Sequence, residues 1–178
     1  DALPQPRPFV PGATLPLNGA TLVIEWRADA PRRVERYGDR LIVGGPGERV
    51  EARVAAWVKQ QALALLTADT HHYATLAEVA VTQVSVGDPR GRWGSCASHG
   101  AIRYNWRLAL APRAVRRATA AHEVAHRVHM NHSAAFHALV ETLFGRDPTP
   151  ERQWLRQHGA SLHWYGRSSR DGSGPRAG

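Results

Sequence analysis

The sequence predicts an α+β fold in which small antiparallel sheets pack on a helix bearing two histidines and a glutamate. Three observations lead there. Residues 21–45 read as short β-rich segments punctuated by turn residues. From Pro46 the apolar positions recur at three and four, which is helical. Strand-like segments then return over 82–111, ahead of a helix containing "HEVAH". With 178 residues and 19.5 kDa, the chain is long enough for one domain with a real core.

Residues 1–19 hold five prolines and read as an extended Pro-rich arm. They contain no apolar h-region of a secretory leader. No apolar run reaches the ~20 residues that span a bilayer. A single domain is expected over 20–165. Its first strands are "TLVIEWRAD", "RRVERY" and "DRLIVGG", separated by Asp29-Ala30-Pro31 and Gly38-Asp39 and closed by Gly44-Gly45. Val50, Val54, Trp57, Val58, Gln61, Ala62 and Leu65 then mark an amphipathic helix of about twenty residues. "RWGSC" and "AIRYNWRLAL" form a hairpin with its tip at Ser98-His99-Gly100. A helix runs from Pro112 to about residue 130. Ser133 caps a further helix that stops at Gly145, and "ERQWLRQHG" is a short last one. Residues 166–178 have the composition of a disordered tail.

The net charge is +8, with Lys59 the only lysine. Such a surface attracts polyanions, although the arginines are scattered rather than gathered in one run. A lone cysteine, Cys96, forms no internal disulfide. A cytoplasmic monomer without a membrane segment is the simplest expectation.

The chemistry concentrates in "HEVAHRVHMNH", residues 122–132. His122 and His126 stand four apart, so a helix puts them on one face a turn apart. Imidazoles so spaced can share one Zn²⁺, and Glu123 beside them can reach water rather than the ion. A catalytic zinc usually takes three protein ligands. His129 stands ~10 Å along a straight helix from His122, too far for one ion. His132, His137 and Glu141 remain as third ligands. His132 serves if the chain turns back, with Asn131 supplying a left-handed helix end and Ser133 starting the next helix.

"RWGSC" at 92–96, "IRYNWRLALAP" at 102–112, "HEVAH" at 122–126 and "NHSAAF" at 131–136 together resemble the YgjP-like metallopeptidase domain. This is a bacterial branch related to the SprT-like and WLM proteases. The resemblance implies a minimal gluzincin (zincin) architecture, zinc held by His122, His126 and His132, and Glu123 as general acid/base. It departs from the usual pattern at His137, where an aromatic residue often follows the motif's Phe.

Beside the helix, Gly94 and Ser95 suit a close approach of substrate backbone. Arg92, Asn105 and Arg107 are the polar candidates for substrate contact or oxyanion support. Cys96, Trp93 and Trp106 read as packed residues. His71, His72, His99, His158 and His163 read as surface loop residues without ligand partners.

Three functions follow. The first is a zinc metallopeptidase acting on extended peptide or protein. The second uses the same site as a pyrophosphohydrolase of nucleoside triphosphates, a link the resemblance carries for uridine triphosphate; no Gly-rich phosphate loop supports it. The third is a DNA-associated SprT-like protein, for which there is no CxxC ribbon and only a weakly basic tail.

Overall fold

The computed structural model describes residues 5–168. The tail expected over 166–178 therefore lies, from 169 onward, outside the described residues. Among the described residues, seven strands and four α-helices make an α+β fold of two small open sheets.

The first sheet has the order β1-β2-β4-β3, built from β1 (Thr14–Leu17), β2 (Ala20–Trp26), β3 (Val34–Tyr37) and β4 (Arg40–Val43). Three of these are the strands read from sequence. The fourth, β1, arises inside the proline-rich arm. Asn18 and Gly19, both at positive φ (49° and 82°), form a tight turn that folds β1 onto β2, the signature Asn-Gly hairpin. Leu15 and Leu17 point into the core. Phe9 is buried too and contributes about 2 kcal/mol of burial. Arg7 bridges to Tyr165, so both ends of the domain are tied together.

The sheets are mixed rather than antiparallel. β3 and β4 are antiparallel, but β4 inserts between β3 and β2 and so runs parallel to β2. In the second sheet, order β5-β7-β6, strands β6 (Gly94–Cys96) and β7 (Ala101–Asn105) form the expected hairpin. β5 (Gln83–Gly87) lies parallel to β7 on its other side. β7 is shorter than "AIRYNWRLAL", because Trp106–Leu110 coils into a 3-10 turn capped by the Asn105 side chain, which accepts from Arg107 N–H. β6 is left as the edge strand.

Helix α1 (Val50–Ala77) is 28 residues long, longer than expected, because Leu66, Thr70, Tyr73 and Ala74 continue the stripe of Val54, Val58 and Ala62. It ends where Glu78 adopts φ 55°. His71 and His72 are therefore exposed helical residues, not loop residues. α1 underlies both cores, one beneath the first sheet and one around β7, α2 (Arg113–Ala125) and α3 (Ala134–Phe144). α4 (Thr149–Leu162) closes the domain.

A buried ion pair fixes α2 against α1. Arg116, 2% exposed, donates from Nε to Asp69 Oδ2 at 2.5 Å and from Nη1 to Asn18 Oδ1 at 2.7 Å. One guanidinium thus joins α2, α1 and the β1–β2 turn. Asp69→Ala leaves that cation buried and unpaired and is expected to cost about 3–5 kcal/mol, read from the urea unfolding midpoint. Asp69→Leu with Arg116→Met recovers part of the loss, since apolar replacement removes the stranded charge.

Candidate metal centre

α2 presents His122 and Glu123 from its last turn and ends at Ala125, with His126 as its C-cap. The expected continuation to about residue 130 does not occur. The chain turns over 126–128, and Asn131 has negative φ, so no left-handed Asn131 ends the helix. His126 itself supplies the constraint. Its Nδ1 lies 3.0 Å from the carbonyl oxygen of His129. A carbonyl only accepts, so Nδ1 carries a proton and donates it, which leaves Nε2 as the ring's ligand atom. Arg127 anchors the same turn, donating to the carbonyls of Ala80 and Ser98 at 2.9 Å each.

The early turn brings His132 back. Ligand atoms of His122, His126 and His132 all lie within 4.8 Å of one another. His137, stacked on His132 at 6.2 Å between ring centroids, and Glu141 stand outside this group. His129 contributes its carbonyl, not its ring.

The floor of the site is a residue whose role the sequence reading did not single out. Phe136, fully buried, packs its ring against all three histidines at centroid distances of 4.9, 4.5 and 5.0 Å. Ser133 places it, accepting a hydrogen bond from the Phe136 N–H at 3.2 Å as the N-cap of α3. The signal was present in "NHSAAF", since a Ser N-cap bonds N2 or N3.

Burial sets the electrostatics. It lowers the His122 pKa to about 4, with His126 and His132 adding to the effect, so this imidazole is neutral and its lone pair available. It raises the Glu123 pKa to about 7, opposed by Arg92. It also raises the Cys96 thiol, with Glu123 adding, so Cys96 is a protonated packed residue rather than a nucleophile. Three clustered imidazoles, one oriented by a carbonyl, fit Zn²⁺, which imidazole suits as a borderline-soft ion.

Glu123 and His122 open into a cavity of about 230 Å³ walled by Trp93, Val115, Ala118, Val140 and Leu155. Arg152 of α4 lines it as well, and neither Arg152 nor this cavity was anticipated from sequence. Gly94 of β6 abuts Glu123: a Cβ there would sit 2.9 Å from Glu123 Cγ. Ser95 follows on the same strand, half-buried, and Arg92 is exposed just before it.

Asn105 and Arg107 are placed elsewhere. Asn105 is buried and donates to the Pro89 carbonyl at 2.8 Å. Arg107 is 3% exposed and bound to Asp88 and to the Tyr165 carbonyl. Both support the loop after β5. Trp106 is buried. Trp93 packs against Gly159 and stacks on His163 at 4.8 Å, so His163 is a half-buried partner of the cavity wall rather than a surface loop residue. His99 and His158 are exposed.

His132→Ala is expected to weaken zinc binding by about a hundredfold or more, since even partners outside the ligand shell are worth 10–100-fold. His129→Ala keeps the carbonyl and should stay within about threefold. Zinc titration against a competing chelator reads both.

The model of the YgjP-like metallopeptidase domain family matches residues 1–158. Among solved structures, the crystal structure of Wss1 from Saccharomyces cerevisiae is similar, with a TM-score of 0.43 at 21% identity over 56% of this chain and 80% of that one. No curated protein matches the chain. The family match runs from the first residue well into α4 and takes in every element that builds the centre. The chain belongs to the YgjP-like metallopeptidase domain family.

Proposed function

We propose that the protein is a zinc-dependent peptidase that cleaves an extended chain laid along β6, with Glu123 as general base and acid and with His122, His126 and His132 as the zinc ligands. The observation that carries this reading is the placement of Glu123. Its carboxyl lies against Gly94 of an edge strand, at the mouth of an apolar cavity that it shares with His122.

The outer edge of β6 pairs with no strand among the described residues. It offers backbone donors and acceptors to a peptide in strand addition, a mode in which the main chain supplies affinity and pockets supply specificity. The cavity beside it admits one substrate side chain. Its apolar walls favour an apolar side chain.

His122, His126 and His132 would hold the zinc ion, which when bound would supply Lewis-acid polarisation of water and of the scissile carbonyl. Glu123 takes the proton from that water and delivers it to the leaving amine. Burial makes the carboxyl a competent acid near neutral pH, and the Arg92 charge pulls it back toward the ionised form that acts as base. Gly94 keeps the space that this carboxyl needs. Arg92, whose charge acts on Glu123, and Ser95 flank the same edge.

Glu123→Gln is expected to retain zinc and lose peptide hydrolysis by at least about a hundredfold. Gly94→Ala, which crowds the same carboxyl, should lower turnover while zinc content is unchanged. A peptide library and a nucleotide panel, assayed side by side, check this. Hydrolysis of a nucleoside triphosphate by the wild type but not by Glu123→Gln, with all peptides intact, would replace the peptide by a nucleotide at this site. Unchanged peptide turnover in Glu123→Gln would refute the assignment.

A further inference from the structure

A second concave site shares no lining residue with the metal-side cavity. It is a polar pocket of about 340 Å³ whose lining includes Lys59, Asp88, Arg90, Trp106, Arg107 and Arg167. Four cationic side chains meet there with one carboxylate. That carboxylate is already engaged, since Asp88 Oδ1 accepts from Arg107 Nη1 at 2.6 Å. The Arg107 guanidinium is otherwise spent on the Tyr165 carbonyl. Lys59, Arg90 and Arg167 form no ion pair among the described residues.

The pocket is built rather than incidental. Asn105 holds the loop carrying Asp88 and Arg90 through the Pro89 carbonyl at 2.8 Å. Trp106, itself buried, places two of the cations, with Arg107 4.3 Å and Lys59 5.8 Å from its ring. Arg167 lies over Trp164 at 5.6 Å. Like charges gathered without counter-ions repel one another, and a bound dianion removes that repulsion while accepting charge-assisted hydrogen bonds. Guanidinium forks suit tetrahedral oxyanions in particular.

We propose that this pocket binds a phosphate group, presented as the free ion or as a small phosphate ester, through Lys59, Arg90 and Arg167, with Arg107 and Asp88 as its fixed base. The proposal does not depend on the peptidase reading.

The test is calorimetric titration of zinc-loaded protein with inorganic phosphate and, separately, with methyl phosphate, mapped by backbone amide shifts. The expected result is saturable binding with shifts at Arg90, Gly166 and Arg167. Binding should persist in His126→Ala, which weakens the metal site. It should fall by at least about tenfold in Lys59→Gln/Arg90→Gln, two exposed positions, as loss of charge-assisted bonds implies, and stay unchanged in Arg33→Gln/Arg36→Gln on β3 and its approach. Tighter binding of methyl phosphate than of phosphate marks an ester as the ligand, and the reverse marks the free ion. Binding abolished by His126→Ala, shifts spread evenly over the arginines, or a DNA oligomer binding far more tightly than either probe would overturn the proposal.

Discussion

The site depends first on the hydrogen bond between His126 Nδ1 and the carbonyl of His129. A helix that ran on past His126 would carry His132 about 15 Å beyond His122 along its axis. The ring of one candidate ligand instead closes the turn that returns another. The same bond holds a ring proton on Nδ1 and turns Nε2 toward its neighbours, so chain reversal and ligand orientation have a single cause. Arg127 fastens the turn to the β6–β7 hairpin tip, and Ser133 caps α3 so that Phe136 lies beneath all three imidazoles.

Around that turn, burial has two consequences. It keeps His122 neutral and Glu123 readily protonated. It also demands that the helix bearing them be held with little freedom, and the Arg116–Asp69 pair joins α2 to α1 within the buried region. Buried ion pairs often add little net stability against apolar replacements. Here the pair fixes orientation, because Arg116 also grips Asn18 in the β1–β2 turn. β6 then needs only a glycine opposite Glu123 to approach the site.

The clustering of the three histidines was legible because its signals are local. Two histidines four apart lie on one helical face whatever surrounds them, and Ser133 announced α3. The path to His132 was less legible: the turn falls at His126 rather than Asn131, because a side-chain-to-backbone bond decides it. β1 escaped notice because four prolines upstream and one within it masked the Asn18-Gly19 turn and the alternating Leu15 and Leu17. The parallel pairings β2–β4 and β5–β7 are set by which strand inserts where, which periodicity does not encode. α1 overran its expected end because Asp69 and Thr70 interrupt an apolar count while sitting buried with partners on Arg116 and Tyr104. Asn105 and Arg107 looked like site residues because they are polar on the hairpin beside α2, yet their partners lie at Pro89, Asp88 and Tyr165. Arg152 and the cavity walls come from separate segments, and only tertiary packing assembles them.

X-ray absorption at the zinc edge of the loaded protein tests the central claim most directly. Three imidazole nitrogens with one oxygen donor in the wild type, falling to two imidazoles in His132→Ala, is the result that the geometry predicts. A sulfur donor from Cys96, or a spectrum unchanged by loss of His132, would contradict it.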